Sequence, residues 1–178
     1  MERSGETSGV VGAQVSTVSA RANVFGHEAL AGTYRTRMEA SGRLVLPAAL
    51  RGPYTLAATG HLMPRKGQHL WLLTPQAFEV MVDEVEARQA DGMLATETRA
   101  LFFKAAPKVG VDKQSRLVIP PELRDAVGIV PDSEVVLAGA IERVEIWPAT
   151  RWDATEAGKF ADLDLLLDGH KGLPTGTA

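Results

Sequence analysis

Two arginines stand at matching places in this chain of 178 residues. Arg43 ends the stretch Glu39-Ala-Ser-Gly-Arg43, and Arg116 ends Asp112-Lys-Gln-Ser-Arg116. An acid and an arginine four apart across a turn allow two kinds of chemistry. The guanidinium can close an ion pair over the turn, which fixes the loop and needs no ligand. It can instead stand clear of the loop and bind a phosphate, or the O6 and N7 edge of guanine, with two parallel hydrogen bonds. Each position taken alone leaves both open. Glu39 and Asp112 are then turn-stabilising residues, and Arg43 and Arg116 are candidate nucleic-acid contacts. Arg35 and Arg37 precede the first turn on one strand face and extend the candidate surface. Lys108 and Lys113 do the same around the second. Arg51 and Arg124 end short helices, where a cation suits the helix dipole as well as it would suit a phosphate.

Other chemistries lack residues to run on. There is no cysteine, so disulfides, thiolate catalysis and Cys-based zinc sites are excluded, and a reducing compartment is expected. His27, His61, His69 and His170 are scattered without metal-ligand spacing. Neither a phosphate-binding glycine loop nor a zinc-hydrolase helix motif occurs. The expectation is therefore no enzyme, no metal and no cofactor. No apolar run is long enough to span a membrane. Residues 1–24 lack a basic start and a continuous apolar core, so they read as a flexible polar extension rather than a signal peptide.

The net charge of −3 and pI of about 5.8 do not announce a polyanion partner. The distribution does. Between residues 32 and 68, Arg35, Arg37, Arg43, Arg51, Arg65 and Lys66 face one acid, Glu39. Between 104 and 124, five cations face Asp112 and Glu122. The intervening stretch 79–98 is acidic, and so is the tail from Asp153. Two local basic segments are averaged away in the total.

The elements that must position these arginines come from a duplication. Set over one another with an offset of 73, EASGRLVLPAALR (39–51) and DKQSRLVIPPELR (112–124) are identical at Arg, Leu, Val, Pro, Leu and Arg. In R-L-V-L, alternation sends Leu44 and Leu46 to one face and Arg43 and Val45 to the other. In the second copy, Val109–Val111 and Leu117–Ile119 flank a turn and predict a hairpin. Pro47 and Pro120 are expected in the first turn of a short helix. A second strand pair follows in each copy, Tyr54–Ala58 with His69–Leu73 and Glu134–Leu137 with Arg143–Trp147. The first of these has a long loop over Gly60–Gln68. Thr74 is a candidate N-cap for a helix whose apolar face is Phe78, Met81, Val82 and Val85. A further helix over Thr96–Ala105 carries Leu101, Phe102 and Phe103 toward the second copy. Phe102, Phe103, Trp71 and Trp147 are expected in the core. Each copy alone is too small to bury both faces of its sheet, so the two should pair into one β structure.

The stretch VGVDKQSRLVIPPELRDAVGI resembles the AbrB/SpoVT swapped-hairpin DNA-binding domain. Two such copies, with LWLLTPQAFEVM, TRALFFKAA and VEIWPATRW at these places, are similar to the MraZ family of bacterial transcriptional regulators. The resemblance covers Phe25 to Trp152. It implies an α+β fold, mainly β: two tandem swapped-hairpin repeats forming a pseudo-dimeric barrel with flanking helices. The boundaries expected are 25–92 and 93–152 for the repeats and 153–178 for an acidic tail. It further implies a ring-shaped homo-oligomer, cytoplasmic and nucleoid-associated, without a small-molecule substrate. That oligomer would bind repeated boxes in double-stranded promoter DNA upstream of the division and cell-wall gene cluster. The first turn departs from the family's D-x-K-G-R, having Glu39 for the acid and no lysine. An AbrB-like antitoxin and an oligomeric scaffold that has kept the fold are the competing readings.

Overall fold

The structure, a computed structural model, describes residues 29–155 and residue 159. The expected extension over 1–24, His27, His170 and the tail beyond Thr155, Lys159 excepted, lie outside the described residues. The first half runs β1 (Thr33–Arg37), β2 (Arg43–Val45), α1 (Ala48–Ala57), β3 (Thr59–Arg65), β4 (His69–Leu73) and α2 (Pro75–Ala90). The second runs α3 (Thr96–Ala105), β5 (Lys108–Gly110), β6 (Arg116–Val118), α4 (Pro121–Val127), β7 (Glu134–Gly139), β8 (Arg143–Pro148) and α5 (Ala149–Thr155). The offset of 73 maps β1 to β4 onto β5 to β8 and α1 onto α4.

The duplication is visible in the pairing. A six-stranded antiparallel sheet has the order β1-β7-β8-β4-β3-β5, and β2 pairs with β6 in a separate two-stranded ribbon. Exchanging the repeats leaves that order unchanged. Each repeat lends its first strand to the other: β1 lies on β7 and β5 on β3. The register of the ribbon is also self-matching, Arg43↔Val118, Leu44↔Leu117 and Val45↔Arg116. The pseudo-two-fold axis thus passes between Leu44 and Leu117. Both are buried in one cluster with Leu50, Tyr54, Leu62, Leu70, Val135 and Ile146, so the repeats share a single core. The fold is the expected α+β, mainly sheet. Its six-stranded sheet ends at β1 and β5, and the ribbon contributes to the core on one side of it.

Several local expectations are corrected. Val109–Val111 and Leu117–Ile119 share only an isolated bridge, Val111↔Leu117, because their longer pairings go to the other repeat. Of the expected strand Tyr54–Ala58, Tyr54 to Ala57 are helix and Ala58 is the left-handed cap, and most of Gly60–Gln68 is strand rather than loop. α1 continues through Pro53. Tyr54 holds it there: its buried hydroxyl donates to the carbonyl of Leu72 at 2.6 Å. Burial pushes the phenol well above its ordinary pKa, so it remains a donor. Tyr54→Phe should cost about 1–3 kcal/mol by removing this partner, read as a lower urea midpoint. A midpoint unchanged from the parent would show that the bond contributes nothing. Pro47 and Pro120 are cap residues with extended backbone, one position before the helices begin.

Other elements match. Thr74 caps α2, its hydroxyl accepting from the Ala77 amide at 3.2 Å. Alternation along β4 and β8 points Leu70, Leu72, Val144 and Ile146 into the core. The outer sheet face is covered in two places. Met63 and Leu73 lie under α2 and α3, and Val136 and Trp147 lie under α5. Phe102 therefore packs on first-repeat elements, stacking with Phe78 at 5.9 Å, and not on the second copy. Leu101 is 63% exposed and Phe103 36%, because only one face of the short α3 meets the sheet. Residues Asp153–Thr155, expected in the tail, close α5.

Candidate nucleic-acid interface

The ribbon is built by alternation. Leu44 and Leu117 turn inward, so Arg43, Val45, Arg116 and Val118 turn outward. Val45 and Val118 are 42% and 52% exposed, unusual for valine on a paired strand. Arg43 and Arg116 occupy diagonal positions across two strands, about 7–8 Å apart at the backbone. Both line one surface depression of about 370 Å³, together with Asp112 and Val118. The sequence suggests two alternative sites, one per copy. Pairing of β2 with β6 makes them one.

The two turns share a backbone shape. Glu39 N–H donates to the Arg43 carbonyl and Asp112 N–H to that of Arg116, each at 2.9 Å. The position before each arginine is left-handed, Gly42 at φ +79° and Ser115 at φ +62°. Side chains then divide them. Asp112 accepts from the amides of Gln114 and Arg116 with one oxygen, at 2.8 and 2.9 Å. Its other oxygen accepts from Arg116 Nε at 2.8 Å. Glu39, one methylene longer, accepts from Ser41 Oγ at 3.1 Å instead. Arg43 has no carboxylate partner among the described residues. The turn-locking ion pair thus forms in the second copy and not in the first.

The Arg116 amide, with desolvation opposing and the Arg116 side chain and Gln114 amide adding to it, holds the Asp112 carboxyl below its ordinary value of 3.8. A depressed folded pKa means that this contribution is complete above the ordinary value and is lost as pH falls through the folded one. The Asp112 side-chain carbon resonance should therefore titrate with a midpoint below 3.8, and Arg116→Gln should move it upward. A midpoint at or above the ordinary value would remove the pair.

The remaining cations are placed unevenly. Arg35 donates to Glu134 at 3.0 Å and also pairs with Asp153, and Arg37 donates to Asp132 at 2.8 Å. These pairs staple β1 to the second repeat, and a phosphate would have to displace the acids. Lys108, Lys113 and Arg51 are exposed and have no acid partner among the described residues. Arg124 is not a solvated helix end. Its guanidinium lies under the first turn, 3.2 Å from where a Cβ on Gly42 would sit, with Nε and Nη1 buried and unbonded. The opposite turn rests on the first repeat, Ser115 Oγ lying 3.2 Å from Thr55 Oγ1. Each helix thus supports the other repeat's turn. This exchange is not legible in local pattern, since it depends on which strand pairs with which.

The family model for the MraZ protein, described as antitoxin-like, matches residues 102–164. A "Transcriptional regulator MraZ" of Salinispora arenicola is 33% identical over 138 residues, covering 75% of this chain and 93% of that protein. The chain belongs to the MraZ family. Within the family, proteins of the same name from Nocardioides sp. and Herpetosiphon aurantiacus are each 33% identical, over 139 and 140 residues. They cover 75% and 78% of this chain and 92% and 94% of their own length. Among the described residues no helix is long and apolar enough to cross a membrane.

Proposed function

We propose that this MraZ-family chain is a sequence-specific DNA-binding transcription regulator, a repressor of the division and cell-wall gene cluster that includes its own operon. The observation that carries the reading is the ribbon, with Arg43 and Arg116 diagonal on one outward face and Arg43 free of any acid among the described residues. A two-stranded β-ribbon fits the major groove, where arginine pairs with guanine or spans phosphates. Lys113 and Lys108 extend the contact on the second-repeat side, and Arg51 reaches the flanking backbone. Arg35 and Arg37 contribute only where DNA phosphates replace their acids. The pair of repeats, 25–92 and 93–152, is the functional unit.

One ribbon makes few contacts. A ring-shaped homo-oligomer presenting several ribbons to repeated promoter boxes would raise the effective concentration and offset the acidic net charge. The reading needs no catalytic residue, metal, cofactor or membrane. The test is fluorescence anisotropy with the chain's own upstream DNA and a scrambled duplex at several salt concentrations. Selective binding with a shallow salt slope per subunit supports it. An intact oligomer that binds both duplexes equally, or neither, leaves a scaffold that has kept the fold.

A further inference from the structure

Among the described residues, the outer face of the six-stranded sheet is covered at both ends and open between them. The opening is a cleft of about 600 Å³ beside the β3–β4 turn. It faces away from the shared core and from the β2–β6 ribbon, because its floor residues alternate with Leu70, Leu72 and Ile146. The floor is aromatic. His69 stacks on Trp147 with ring centres 3.9 Å apart, and Trp71 donates from Nε1 to His69 Nε2 at 3.1 Å.

The rim is cationic, in a chain that is acidic overall. Arg65, Lys66 and Lys159 line the cleft. The one acid among its described lining residues is Glu145, which accepts from Trp147 Nε1 at 3.1 Å and meets Arg143 at 3.5 Å. Neither Arg65 nor Lys66 has a carboxylate partner among the described residues. Arg65 instead lies over the Trp71 ring, 4.0 Å from its centre, which orients the guanidinium without neutralising it.

The turn itself gives a second, independent sign. Lys66 and Gly67 are both left-handed, at φ +51° and +63°, and Gln68 N–H closes on the Arg65 carbonyl at 2.9 Å. Such two-residue turns favour asparagine followed by glycine. A lysine there is backbone strain at the mouth of a cleft, and strain of this kind collects at ligand sites. Arg151 from α5 bonds the Gly67 carbonyl and that of Val127, and so clamps the turn in place.

We propose that this cleft binds a compact polyanion, an oligophosphate group either free or carried on a nucleotide. The volume suits a group of that size. The fork of Arg65 matches two non-bridging oxygens, and Lys66 supplies a point charge at the rim. The Trp71 indole gives the Arg65 guanidinium an apolar backing. The site is separate from the DNA reading and stands or falls apart from it.

Calorimetric titration of the full chain at low salt tests the site, with sodium tripolyphosphate, ATP and citrate as probes. Lys66→Gly removes the charge while suiting the left-handed turn, so folding survives, and its melting temperature checks that. Arg65→Gln and Arg43→Ala complete the set. Tripolyphosphate should bind the parent and Arg43→Ala alike, and should bind Lys66→Gly and Arg65→Gln about tenfold more weakly. Tighter ATP than tripolyphosphate assigns the site to nucleoside phosphates, and the reverse order to free oligophosphate. The proposal is overturned if the parent binds none of the phosphates, if citrate binds as tightly, or if Lys66→Gly loses nothing. Loss confined to Arg43→Ala would also overturn it, since the anion would then sit on the ribbon.

Discussion

Arg43→Ala should abolish selective binding of the upstream DNA, whereas Arg116→Ala weakens it to a smaller degree. A bidentate arginine contact to a base discriminates by about 1–3 kcal/mol, roughly five- to 150-fold in affinity at one site. If several subunits engage several boxes, the loss at each site compounds, so a modest change per ribbon removes measurable selectivity. The two arginines differ because their acids differ. Arg116 is held by Asp112 through Nε at 2.8 Å, and any DNA contact must share or break that bond. Arg43 has no such competitor among the described residues. Anisotropy with both variants at several salt concentrations separates the outcomes. Retained selectivity in Arg43→Ala with loss in Arg116→Ala would make the Asp112 pair a device that aims the reading guanidinium. Retained selectivity in both would remove the ribbon as the reader, while the oligomer's integrity is checked by light scattering.

Leu117→Ala should destabilise the whole molecule by about 2–5 kcal/mol, in one transition. Leu117 sits opposite Leu44 on the pseudo-two-fold axis, and the two are 1% and 0% exposed. Truncating it opens a cavity where side chains of both repeats meet. Strand exchange leaves neither repeat a complete sheet of its own, so they must unfold together. Urea melts followed by far-ultraviolet circular dichroism and by tryptophan fluorescence provide the check. Trp71, Trp147 and Trp152 report from the outer face, remote from the substituted site. Coincident curves with a lowered midpoint are expected. Two separated transitions, or a loss below about 1 kcal/mol, would contradict a single core.

Local pattern determined a good deal of this protein. The offset of 73 is read by laying one copy over the other, and the inward leucines of R-L-V-L, the Thr74 cap, the limits of α3 and the β7–β8 pair follow from residues within a few positions of each other. Those features are set by side-chain alternation, caps and turn chemistry, which act over one or two turns of chain. The candidate arginines were legible for the same reason, as was the pairing of Arg116 with the acid four residues before it.

What the tertiary structure decided is which partner each segment meets. Sequence alternation says that a strand has an inner face, but not which strand lies beside it, so the predicted local hairpin became an exchange between repeats. Tyr54 opens an expected strand, yet it lies in α1, where its hydroxyl meets the Leu72 carbonyl 18 residues away. Glu39 and Asp112 differ by one methylene, and only the folded turn shows Asp112 bonded to its arginine and Glu39 turned to Ser41. The union of Arg43 and Arg116 on one face depends on a contact between residues 73 apart. A composition or a motif cannot specify that contact, because its free energy comes from burying Leu44 against Leu117 after the chain has closed on itself.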